Sequence, residues 1–233
     1  MPSRLPLSPV PTRLTIPCDV PFDSSGETDR KGYRLNVRRQ GRATGKLKLS
    51  GGGDARELAA IPMLTHFTRA AGTKSAIDNL EAILRAGVIR GATRLIRGKR
   101  PVVCLFDATI SELGRLLVRS SRRRYEPFGV ALDKRYAFAM GARPVLYMPW
   151  REARLILAEE EWWRVAAIDL ERNPPIDWSF EREWRVAGDL PLPARAAVAL
   201  VENWRDADEL YDRFDGYPPC AGVIPIKDLP GFA

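Results

Sequence analysis

One histidine, His66, stands in Met63-Leu-Thr-His-Phe-Thr68, and two carboxylates, Glu181 and Glu183, stand in Ser179-Phe-Glu-Arg-Glu-Trp-Arg-Val186. An imidazole titrates near neutrality and can donate or accept a hydrogen bond with a ligand hydroxyl. Two carboxylates in a dry cleft can separate in pKa, so that one exchanges a proton while the other stays charged. Period-2 geometry over Phe180–Val186 puts Glu181, Glu183 and Arg185 on one face of a strand. Phe180, Arg182, Trp184 and Val186 fall on the other. The plainer alternative is a partly buried, satisfied histidine and an edge strand whose charges pair with neighbours, each pair contributing under about 1 kcal/mol. An enzyme and an interaction protein both remain open on these residues.

Other chemistries find no support. Cys18, Cys104 and Cys220 are odd in number and dispersed, so they form neither a disulfide framework nor a zinc set with the single histidine. The chain has no glycine-rich dinucleotide fingerprint, no nucleoside-triphosphate loop and no nucleophile elbow. Arg119–Arg124 holds four basic residues and precedes Tyr125. That pattern fits phosphate contacts with a stacking aromatic, or a solvated connection. Glu159-Glu-Glu-Trp-Trp163 reads as an acidic helix face with a packing Trp pair.

The surrounding pattern supplies elements to hold these groups. Leu64–Thr68 alternates as a short strand, with Leu64, His66 and Thr68 facing one way. Ser75–Ala86 has helical spacing and stops at Gly87. Pro101–Phe106 is a β-branched run that predicts a buried strand, and Asp107 or Thr109 can cap a following helix. Phe128–Leu132 and Arg143–Met148 predict strands around a helical turn at Lys134–Met140. Arg151–Glu161 predicts a helix, extended by Trp162–Ile168. Phe180–Val186, Val198–Glu202 and Gly222–Ile226 predict later strands, with a helix at Asp206–Asp212. Strands outnumber long helices without a βαβ rhythm. The expectation is therefore α+β, with a mainly antiparallel sheet flanked by helices.

Residues 1–62 differ in character. They are rich in Pro, Gly, Ser and Arg, and carry 11 Lys/Arg against 6 Asp/Glu, leaving 26 against 23 for the rest of the +8 chain. Such a stretch buries too little apolar surface to offset chain entropy. It predicts a disordered basic tail on a single domain spanning 63–233, apart from a short strand at Tyr33–Val37. Met63 is an alternative initiator. A basic tail attracts polyanions weakly and without sequence preference. No apolar run is long enough to span a membrane, and the cysteine usage predicts a reduced, cytoplasmic protein.

Leu64-Thr-His-Phe-Thr68, Asn79-Leu-x-x-Ile-Leu-x-x-Gly-x-Ile89, Val103-Cys-Leu-Phe106, Phe128-Gly-Val-Ala-Leu-x-Lys134, Gly141-Ala-Arg-Pro-Val-Leu-Tyr147 and Phe180-Glu-Arg-Glu-Trp-Arg-Val186 together resemble the AbiGi-type abortive-infection family over roughly 64–190. That resemblance implies a bacterial phage-defence protein, an antitoxin or regulator with a protein toxin or nucleic acid as partner. A second resemblance is to ADP-ribosyltransferases, including DarT-like toxins. It implies an ADP-ribosyltransferase-like fold with NAD as substrate. His66 would then hold a ribose hydroxyl, with Thr68 grouped beside it. Glu183 would orient the reacting ribose, and Glu181 completes a Glu-x-Glu spacing. The aromatic on nicotinamide would be Phe106, or else Tyr125 or Tyr147. The resulting expectation is geometric: His66, Glu183 and one of these aromatics should line a single cleft.

Overall fold

The computed structural model describes residues 63–109, 112–113, 117, 125–194 and 196–228, together with two short paired strands, β1 (Val37–Arg39) and β2 (Leu47–Leu49). The remainder of 1–62, where the disordered tail and most of the Tyr33–Val37 strand are expected, lies outside the described residues, as does the basic connection 119–124.

The sheet follows from the apolar runs. β3 (Met63–Thr68), β5 (Val102–Asp107), β6 (Phe128–Asp133), β10 (Glu183–Ala187) and β12 (Ala197–Val201) join β7 (Arg143–Pro144) and β13 (Val223–Pro225) in one seven-stranded sheet, ordered β13-β12-β6-β3-β5-β10-β7. Only the β12–β13 pair is parallel. On one face Leu64, Val103, Leu105, Val130, Leu132 and Val186 pack with Ile77, Leu80 and Leu84 of α1 (Ala76–Ala86) and Leu210 of α4 (Trp204–Asp212). On the other, Met63, Ala131, Val198, Leu200 and Ile224 pack with Leu113. Both faces of the central strands are covered, which explains why β12 is buried at every position.

The helix α1 begins and ends where its residue types require. Ser75 and Asp78 form a capping box, and Gly87 closes the helix at φ 61°. Arg213 ties α1 to α4, donating to Asp78 at 2.7 Å, Glu81 at 2.8 Å and Glu209 at 2.6 Å. Hydrogen bonding from the Ser75 side chain, then from Arg213, holds the Asp78 carboxyl well below its ordinary 3.8. Arg85 and then Arg213 lower Glu81 in the same sense. A depressed carboxyl stabilises the fold fully above its unfolded value and loses that contribution as the pH falls below it. Arg213→Ala should therefore flatten the acid-unfolding limb below about pH 4. At neutral pH it should remove about 1 kcal/mol from this largely solvated network, lowering the melting temperature by about 2–4 °C. Melting curves across pH measure both effects.

Three expectations change in the structure. The strand expected at Phe180–Val186 begins only at Glu183, because Ser179–Glu181 forms a 3₁₀ turn and Arg182 sits at φ 44°. Asp177 accepts from the Ser179 N–H at 2.9 Å and from its hydroxyl at 2.6 Å, a local bond that competes with the extended form. The strand expected at Arg143–Met148 divides. Arg143 and Pro144 pair with β10, and the Val145 N–H still donates to the Glu183 carbonyl at 3.0 Å, but the Glu183 N–H turns to the Tyr147 hydroxyl, so the ladder stops there and β8 (Leu146–Met148) pairs instead with β9 (Val165–Ala167). The helix expected over Arg151–Glu161 and beyond is α3 (Trp150–Ile156) alone, followed by a 3₁₀ turn at Glu159–Arg164 and then β9. Val165 and Ala166 are buried, so strand pairing overrides the helical reading of that segment. Two further elements, α2 (Lys134–Ala139) and the antiparallel pair of β4 (Val88–Ile89) with β11 (Leu190–Pro191), complete the order.

Candidate functional site

The ladder between β3 and β5 is short. It pairs Leu64 with Asp107 and Thr65 with Phe106 and then stops, although β3 continues along β6 to Thr68 and β5 continues along β10 to Val102. The sheet therefore has an open seam where His66 and Cys104 lie. His66 Nδ1 is 3.0 Å from the Cys104 carbonyl oxygen and serves a backbone acceptor that the strand ladder leaves on the seam. A carbonyl only accepts, so Nδ1 carries the proton, and Nε2 of the neutral ring is left as an acceptor for a hydroxyl. Burial lowers the His66 pKa, partly offset by that carbonyl bond. The neutral ring is thus the folded-state form, and protonation below its ordinary 6.5 opposes folding.

His66 holds this position because Gly129 lets β6 approach closely. A Cβ on Gly129 would sit 2.3 Å from the His66 carbonyl oxygen and 3.1 Å from the Phe67 Cα. Both are backbone atoms and cannot swing aside. Gly129→Ala is expected to cost about 1–3 kcal/mol, measurable by chemical denaturation.

At the seam a cavity of about 500 Å³ is lined by His66, Phe67, Cys104, Phe106, Tyr125, Trp178, Glu181, Glu183 and Arg185, with Arg94, Leu95 and Arg97 among the residues completing its wall. Its size suits one small-molecule ligand. Glu181, Glu183 and Arg185 are 4, 9 and 5% exposed. Arg185 grips Glu183 with a two-pronged fork, Nε to Oε1 at 2.8 Å and Nη2 to Oε2 at 2.9 Å. Glu181 accepts from the Tyr125 hydroxyl at 2.9 Å. The two carboxylates thus differ in partner: one faces a guanidinium and the other a phenol. Phe106 meets Phe67 at 5.4 Å and Tyr125 at 4.8 Å between ring centroids, an edge-on cluster that stiffens one wall. Burial first, and then the Glu183 charge, push the Cys104 thiol up to about 12, so it is no nucleophile at neutral pH.

The structure brings together His66, Phe106, Tyr125, Glu181 and Glu183. Thr68 and Tyr147 are not part of this cavity wall. Thr68 is buried and donates to the Ala76 carbonyl at 3.0 Å, anchoring the chain ahead of α1. It lines, with His66, Arg69, Asn79 and Ile83, a shallower groove of about 380 Å³ along α1. The Tyr147 hydroxyl accepts from the Glu183 N–H at 2.7 Å, behind the carboxylate. Burial pushes the Tyr147 phenol up to about 12.

Sequence reasoning missed two contributors. Trp178 reaches the cavity through the Asp177–Ser179 turn. The loop between β4 and β5 supplies Arg94, Leu95 and Arg97 to its rim. That loop could have been singled out, since Arg90–Arg100 has five basic residues and no acidic one. Leu95 sits there at φ 63° and is 81% exposed, a strained apolar residue at the mouth. No group of His, Cys, Asp and Glu among the described residues has the makings of a metal site. No helix among them is long and apolar enough to cross a membrane. No protein-family model, curated protein or solved structure matches the chain.

Proposed function

We propose that this cavity binds NAD and cleaves its nicotinamide–ribose bond, passing ADP-ribose to an acceptor, as the resemblance to ADP-ribosyltransferases implies. One observation carries the reading: His66, Glu183 and the aromatics Phe106 and Tyr125 line a single cavity of ligand size. Departure of nicotinamide leaves an oxocarbenium-like ribose, as in glycoside cleavage. A fixed Glu183 carboxylate stabilises that positive charge. His66 accepts a hydrogen bond from a ribose hydroxyl and orients the sugar. Tyr125 or Phe106 gives the leaving ring a flat wall. The acceptor's nucleophilic atom then bonds to the ribose carbon and releases its proton. His66 also borders the groove along α1.

The AbiGi-type resemblance supports bacterial phage defence as the setting of this activity. A cytoplasmic setting belongs to the same proposal and agrees with the free thiols Cys104 and Cys220. Incubation with NAD labelled in its adenylate half and with cell extract tests the reading. Label should pass to a macromolecule with wild-type protein and not with Glu183→Ala. Equal labelling by both proteins, or none by either, would reject it.

A second reading, a non-catalytic antitoxin or regulator that binds a protein toxin or nucleic acid, draws on the rim loop. Arg94, Arg97, Lys99 and Arg100 are exposed, and Arg97 stacks on Trp150 at 4.8 Å. Stacked Arg and Trp suit a nucleic-acid strand, although the acidic turn Glu159–Arg164 lies against this loop. Binding on this reading should weaken steeply between about 50 and 200 mM salt. A flat response would exclude it.

A further inference from the structure

We infer that Arg185 is the positioning residue of Glu183, holding that carboxylate immobile in the cavity so that it acts as a fixed charge. The inference deepens the proposed NAD reaction and rests on it for its kinetic arm.

The geometry turns Arg185 onto Glu183 and onto backbone carbonyls, away from any ligand. Its Nε and Nη2 each hold one oxygen of Glu183, and its Nη1 donates to the carbonyls of Trp163 at 2.6 Å and Val165 at 3.0 Å. With all three nitrogens engaged and the side chain buried, the guanidinium cannot turn outward to a ligand phosphate. Arg94 and Arg97 at the rim are placed for that contact instead. The two Nη1 bonds tie β10 to the Trp163–Val165 segment, whose continuation Val165–Ala167 forms part of the cavity wall.

Glu183 is held at its backbone as well. Its N–H donates to the Tyr147 hydroxyl at 2.7 Å, and its carbonyl accepts from the Val145 N–H at 3.0 Å. Each carboxylate oxygen takes one bond from Arg185 and keeps lone-pair capacity toward the cavity. A planar fork fixes both position and plane, which a lysine ammonium does not. Such a carboxylate suits stabilising a charge that appears only in the transition state, because it needs no reorganisation when the bond breaks.

Arg185→Lys in the full chain is the test, since it keeps the buried positive charge while removing the planar fork. Its melting temperature should stay within a few degrees of wild type. NAD affinity by calorimetry should change by less than about threefold, while turnover falls by about 10²-fold, the cost of a misplaced reacting group. Arg185→Lys combined with Glu183→Gln should be no slower than Glu183→Gln alone, because Arg185 acts through Glu183. Undiminished turnover in Arg185→Lys, or losses that multiply in the double variant, would overturn the inference.

A spectroscopic arm does not depend on NAD. The Arg185 Nε–H resonance should exchange slowly in wild type and lose that protection in Glu183→Ala, which removes its acceptor. Protection that survives Glu183→Ala would overturn the clamp. Absence of NAD binding and cleavage by wild type, with the protection pattern as expected, would reject the proposed function and leave the clamp standing.

Discussion

Arg185→Met is expected to destabilise the protein by about 3–5 kcal/mol, the cost of leaving one member of a buried ion pair unpartnered. Both side chains are almost fully buried, so neither charge is relieved by water. The methionine also leaves the carbonyls of Trp163 and Val165 without their guanidinium donor. Much of the cost should come from the stranded Glu183 charge and not from lost packing, because methionine fills a similar volume. Glu183→Gln with Arg185→Met should therefore be more stable than Arg185→Met alone. Urea titrations of the two variants and wild type measure the difference. A single variant as stable as wild type would mean that water reaches the pair.

Under the proposed NAD reaction, Glu183→Gln is expected to slow cleavage by about 10²-fold or more while leaving NAD affinity nearly unchanged. Gln keeps the shape and a carbonyl acceptor for Arg185 but removes the charge that opposes the oxocarbenium. Binding depends on contacts made before the bond breaks, so its change should be small. The same experiment with Glu181→Gln ranks the two carboxylates. Glu181 accepts from the Tyr125 hydroxyl, whereas both oxygens of Glu183 are held in position and plane by the Arg185 fork, the arrangement suited to a fixed transition-state charge. The loss should be larger for Glu183. The reverse order would move the charge-stabilising role to Glu181.

The elements that carry most of the core were readable from apolar spacing. β3, α1, β5, β6, β12 and α4 appear within a few residues of where periodicity and capping place them, because each buries a face set by its own side-chain order. The errors lie where a local bond or a distant partner outweighed that order. Asp177 turned the start of the expected Glu181 strand into a 3₁₀ turn. Parallel pairing with β8 drew Val165–Ala167 out of a helix.

The candidate site divides in the same way. Residue types alone drew attention to His66, Glu181 and Glu183, since a lone imidazole and two close carboxylates are chemically conspicuous in a mostly apolar pattern. Only the folded chain could join them. The seam beyond Thr65 exists because β3 and β5 stop pairing after two residues, a property of strand register that neither segment contains. The grip of Arg185 on Glu183 gains its strength from burial beneath Trp163 and Val165, about 20 residues earlier in the chain. Local order specifies which side chains share a face. Which faces then meet, and how dry the meeting place is, depends on contacts between segments far apart in sequence.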